Sequence, residues 1–175
     1  MSVKQVMRFG MACGFLVAIA GISMAAVDVA AARTAVLKDA EPAGAVTIAA
    51  AKAQLSTTPK AVVVAGRIGG RGTSPFGKNE ATFSMLEIPT DDHATKPGHN
   101  ADDCPFCKKR AANSPIAAVS FLGADGKVIP MAAPQLLGVA EGQDVVVSGS
   151  AIFDPKLGIP VIQIKADGLY IRPAK

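Results

Sequence analysis

Apolar residues in this chain recur at every second position, in short runs broken by glycine, and that period belongs to β-strands. Val145, Val147, Gly149, Ala151 and Phe153 share one side of such a run, with Val146, Ser148, Ser150 and Ile152 on the other. Successive strand residues point to opposite faces, so the first set, closing on Phe153, is the expected inward face. Val62, Val64, Gly66 and Ile68 make an earlier run, and Ala81, Phe83 and Met85 a second. There the phase switches to Leu86 and Ile88, which predicts a β-bulge. A third run covers 116–122 and turns through Gly123-Ala124-Asp125-Gly126 into a further segment at 127–131. In the last run Val161, Gln163 and Lys165 oppose Ile162, Ile164 and Ala166, ahead of Gly168 and Leu169-Tyr170-Ile171. Ala-rich residues 46–55, ended by Ser56-Thr57-Thr58-Pro59, predict a short helix, and 134–137 suit one helical turn.

Five or six short strands, a small helix before the fourth and a curling second strand predict a mainly β fold that closes on itself. Val62-Val63-Val64-Ala65-Gly66-Arg67, Gln143-Asp144-Val145-Val146-Val147-Ser148-Gly149 and Gly168-Leu169-Tyr170-Ile171 carry a resemblance to exported bacterial OB-fold domains over about residues 60–172. That resemblance implies a small OB-like Greek-key barrel of five or six strands. It brings no functional assignment with it.

The N-terminus suggests export. Lys4 and Arg8 precede the apolar run 9–26, and small residues Val29-Ala30-Ala31-Ala32 follow, the three parts of a secretory signal peptide. Cleavage is expected after Ala32 or Ala31, with Ala25 as the alternative site. An uncleaved membrane anchor is the competing reading, because the apolar run nearly reaches spanning length. Cys13 falls inside the discarded segment. The expected organisation is therefore a signal peptide at 1–32, a lead-in with a short helix at 33–59, and a barrel domain at 60–175, in the periplasm or secreted, with no membrane span after cleavage. Removing 1–32 takes away Lys4, Arg8 and Asp28, so the formal charge falls from +4 to +3. A mildly basic chain without a long run of one sign has no obligatory polyanion partner.

The chemistry is concentrated in one stretch. The chain's two histidines, His93 and His99, lie just before Cys104 and Cys107 in an insertion at 89–115 between the second and third strands. Imidazole nitrogen and thiolate sulfur are the donors favoured by zinc and by soft transition metals, so the four residues form a candidate metal site for zinc, or copper. Four protein donors leave no open position, which favours a structural rather than a catalytic ion. A Cys-x-x-Cys disulfide closes so short a loop that it stabilises little. A long insertion without its own strand pattern calls for a reason, and folding around an ion supplies one. Asp91, Asp92, Asp102 and Asp103 are candidates to orient the imidazoles and offset Lys108, Lys109 and Arg110.

Two rival readings compete with the metal site. Cys104-Pro105-Phe106-Cys107 is similar to the redox motif of glutaredoxins, which implies an exported thiol–disulfide oxidoreductase. The polar stretch 90–103, however, is unlike the buried strand such a motif should follow, and Pro115 would stop the helix after it within two turns. Arg67, Arg71 and Lys78 around a glycine-rich loop suggest a single-strand nucleic-acid rim, which also needs aromatic platforms. The candidates are Phe76, Phe83, Phe106, Phe121, Phe153 and Tyr170, several on faces expected to be buried. Nucleic acid is therefore disfavoured. Residues 72–79 nearly spell a P-loop, but Asn79 stands where a magnesium-binding hydroxyl belongs, and a strand follows instead of a helix. No Ser/His/Asp set is visible. The expected function is a non-enzymatic OB-like binding module with a metal ion as one partner and a protein or small molecule as another.

Overall fold

A computed structural model describes residues 28–89, 98–99, 103–158 and 160–173. The alternating runs form β1 (Lys60–Ile68), β2 (Thr82–Leu86), β3 (Ile116–Phe121), β4 (Asp144–Ile152) and β5 (Val161–Ile171). They join in the order β1-β2-β3-β5-β4 and close into a barrel, because β1 also pairs with β4 from Lys60 to Arg67. All pairs are antiparallel except β3 with β5. The crossover to that parallel pair runs through β4, which gives the Greek-key, OB-like architecture the sequence predicts. The sixth candidate strand at 127–131 shrinks to a bridge between Leu122 and Val128, and the Gly123 N–H closes the turn onto the Lys127 carbonyl.

Strand period and burial agree closely. Val64 and Ile68 of β1, Phe83 and Met85 of β2, Val119 and Phe121 of β3, Val145, Val147 and Ala151 of β4, and Ile162 and Ile164 of β5 all enter the core. Two expectations fail. Phe153 lies past the end of β4 and is only partly buried, with the Lys52 ammonium 4.7 Å above its ring. The β2 ladder runs from Thr82 to Leu86 without a register shift, so the phase switch there marks the strand's end and not a bulge. The irregularity is on the opposite side of the barrel: Ser148 pairs with Gly168 and Gly149 with Ala166, which leaves Asp167 as the extra residue of β5. Ser148 Oγ donates to Asp167 Oδ1 at 2.7 Å and turns that extra side chain back onto the sheet.

The helices are α1 (Val29–Val36), α2 (Ile48–Gln54), α3 (Pro105–Asn113) and α4 (Ala133–Leu137), of which α1 packs on β5 and α2 on β1. Thr47 caps α2 through its side chain, and Ile48 is fully buried. A Cβ on Gly66 would sit 3.2 Å from Ile48 Cδ1 and 2.9 Å from Met85 Sδ, so glycine at this point lets α2 seat on the barrel. The Glu87 carboxylate accepts the Ala49 N–H at 3.0 Å and ties the start of α2 to the end of β2. Pro134 sits in the first turn of α4, and Gly138, at φ 72°, ends the helix.

The segment before the barrel is better ordered than its sequence suggests. Asp28 caps α1, whose Val29, Ala32 and Val36 pack against the core, and Leu37 then bridges to Leu169 of β5. Val46 bridges to Val64 of β1. Arg172, just beyond β5, forms a two-bond ion pair with Glu41 at 2.6 and 3.0 Å. The Arg172 hydrogen bonds hold the Glu41 carboxyl below its ordinary value of 4.5. A carboxyl with a lowered folded-state value stabilises the native form above its unfolded value, and loses that contribution as pH falls through the lowered one. Unfolding followed from pH 6 to pH 2 should therefore show a small acid-linked loss that Glu41→Gln removes. An identical pH profile for the variant would show that the pair contributes nothing.

Candidate metal centre

The insertion between β2 and β3 is not structureless: it carries α3, which begins at Pro105, immediately after Cys104. Proline suits a first helical position, because its missing N–H would be unpaired there in any case. The Lys108 N–H donates to the Cys104 carbonyl at 3.0 Å, so the first turn of α3 closes over Cys104 and brings Cys107 beside it. The x-Pro-x spacing thus sets two sulfurs on one end of a helix. Gly98, at φ 77°, turns the chain before His99.

One nitrogen of His99 and the sulfurs of Cys104 and Cys107 lie within 4.8 Å of one another. His99 Nε2 is 3.2 Å from Cys107 Sγ. Zinc–sulfur bonds of about 2.3 Å and zinc–nitrogen bonds of about 2.0 Å place tetrahedral donors about 3.5–3.8 Å apart. Small shifts of the three side chains, with the His99–Cys107 pair opening, would therefore bring all three onto one ion. Neither cysteine forms a disulfide among the described residues, and both are half-buried. Burial pushes the Cys107 thiol up from its ordinary value, and the neighbouring Cys104 pushes it further. Arg110, one turn along α3 with its guanidinium 3.8 Å from that sulfur, pulls the other way. A soft cation reverses this balance, since it binds the thiolate in place of the proton.

Three of the four expected ligands are therefore together. The fourth, His93, lies outside the described residues, as do Asp91, Asp92 and Asp102; Asp103 is exposed at the turn before Cys104. By sequence Arg110 is one of the charges to be offset, whereas the structure sets it against Cys107. Its position three residues after that cysteine, on the same helix face, was the available signal. Arg71, a nucleic-acid candidate by sequence, donates from its guanidinium to the Ser114 carbonyl and joins the glycine-rich β1–β2 loop to the end of α3. Arg67 pairs with Asp144 at 2.6 Å across β1 and β4. Two of the three cations proposed for a nucleic-acid rim thus have structural partners. Of the six candidate aromatic platforms, Phe83 and Phe121 are buried against each other, with ring centres 5.9 Å apart.

No family model matches the chain, and no curated protein matches it. Among solved structures, one from Leishmania major Friedlin, described as an aspartyl-tRNA synthetase, aligns with 81% of this chain at 12% identity and a TM-score of 0.43. The chain spans 25% of that protein's length. Among the described residues, no helix is long and apolar enough to cross a membrane.

Proposed function

We propose that this chain is an exported, non-enzymatic OB-like binding module whose β2–β3 insertion is held in shape by one metal ion. The convergence of His99, Cys104 and Cys107 carries the reading. Cys104 and Cys107 supply thiolates from the start of α3, His99 supplies an imidazole from the preceding turn, and His93 completes the set. Thiolate and imidazole donors with four-coordination suit zinc, and copper(I) as the competitor. The ion anchors an insertion that otherwise has little apolar material to fold around. The test is metal analysis of protein purified under reducing conditions, combined with a thiol count. One tightly held ion per chain with both thiols masked is the expected result. Metal-free protein with a reactive thiol would replace this reading with thiol–disulfide chemistry.

Export rests on the N-terminal pattern, and α1 bears on where processing occurs. A cut after Ala31 or Ala32 falls inside α1 and removes its Asp28 cap together with Val29, which packs on the core. A cut after Ala25 spares the whole helix. N-terminal sequencing of exported protein should therefore find a start ahead of Asp28. A start at Arg33 would show that the mature domain does without the first half of this helix, and an intact Met1 on membrane-bound protein would favour the anchor.

A further inference from the structure

The donors gathered at the start of α3 differ in one respect: two of them can bond to each other. Cys104 and Cys107 stand three residues apart, and the Lys108 N–H bond to the Cys104 carbonyl closes the helical turn between them. Residues at that spacing share one helix face, and the two sulfurs lie within 4.8 Å of each other. A disulfide needs them at about 2.05 Å, a gap that rotation of the two side chains closes. Both cysteines are half-buried, and Pro105, Phe106 and Lys108 around them are exposed, so a small oxidant reaches the sulfurs from solvent.

The disulfide and the metal site exclude each other. An S–S bond removes both thiolates, and His99, even with His93, does not hold zinc as the full donor set does. The ring closed through Pro105 and Phe106 is too short to stabilise the fold much, and partly exposed disulfides are among the readily reduced ones. Oxidation here is therefore reversible. A chain read as exported also meets oxidants of this kind.

We propose that Cys104 and Cys107 form a redox release for the metal: a low-molecular-weight disulfide converts them to an intramolecular disulfide and discharges the ion, and a reductant restores the site. Such regulation rests on the metal reading above. One thiolate attacks the oxidant RSSR, forming a mixed disulfide and expelling RS⁻. The other attacks the protein sulfur of that bond, links Cys104 to Cys107 and expels a second RS⁻. The cysteine pair loses two electrons and the oxidant gains them. The two RS⁻ take protons from water, and the ion leaves with its charge unchanged. The tie that the ion makes between His99 and α3 goes with it, while the core, built on β1–β5, α2 and α4, is untouched.

The test uses exported protein in a Cys13→Ala background, loaded with zinc and treated with oxidised glutathione while a chromophoric chelator follows the metal. One zinc should leave for each disulfide formed, with an intact-mass loss of two hydrogens and no attached glutathione, and none should leave without the oxidant. A reducing phosphine and fresh zinc should then restore full occupancy. His99→Ala should be oxidised about tenfold faster or more, because a weakly held ion masks the thiolates less. Cys107→Ser should stop at the mixed disulfide on Cys104, and an unchanged unfolding transition in both variants excludes a folding defect. Zinc retained with both thiols intact would overturn the proposal and leave the metal reading standing. Glutathione attached separately to each cysteine would overturn it as well. Protein that forms the disulfide but never held an ion would sink the metal reading, and the coupled release with it.

Discussion

Cys104→Ser and Cys107→Ser should each abolish stoichiometric metal binding, while the unfolding transition of the barrel stays in place. Serine offers zinc no thiolate, and the remaining donors cannot hold the ion at the same affinity. His99→Ala and His93→Ala should weaken binding without eliminating it. The separation of effects follows from the fold. Cys104, Cys107 and His99 belong to the insertion, whereas the core draws on β1–β5, α2 and α4. Because cysteine and histidine must lose protons to coordinate, affinity should also fall as pH is lowered. Metal content measured beside thermal unfolding for each variant decides the matter. If both histidine variants bind as well as the parent chain, the site is a bare dithiol.

The second large effect belongs to the core. Phe121 is fully buried and packs against Phe83, so Phe121→Ala should destabilise the domain by about 3–5 kcal/mol. Phe153→Ala should be milder, about 1–2 kcal/mol, because its ring is only partly covered and loses mainly surface burial and the Lys52 contact. Denaturant unfolding of the two variants side by side gives the comparison. A loss well below 1 kcal/mol for Phe121→Ala would mean that β3 does not line the interior as described.

This contrast also shows what could be read from residues alone. Period-two alternation marked the inward faces of β1, β2, β4 and β5, because a half-buried strand must segregate its side chains. It could not show that Phe153 lies beyond the last β4 pairing, since strand ends depend on the partner strand. The bulge was misplaced for the same reason: the switch at Met85–Leu86 is a local pattern, whereas the extra residue Asp167 is defined only by which residues of β4 it faces. Helix α1 was hidden because Val29-Ala30-Ala31-Ala32 suits a processing segment as well as a helix, and the helix shows itself only in its packing on β5 and α4. The candidate metal residues His99, Cys104 and Cys107 were legible through rarity and clustering. The α3 scaffold that brings Cys107 beside Cys104 was not, since polar residues and the nearby Pro115 argued for a loop.

The strand order bears on when the molecule can become itself. β3 and β4 are not neighbours; each completes its pairing only against β5, and Ile116 must wait for Val161. Lys38 and Leu37, from the opposite end of the described chain, dock on Leu169 of that same strand. Contacts so distant in sequence form slowly, because their loop-closure entropy must be overcome first. Until residues 161–171 leave the ribosome, no partial product can shut the barrel. For a chain read as exported, this delay keeps the nascent polypeptide threadable through a translocation pore, and assembly begins only on the far side.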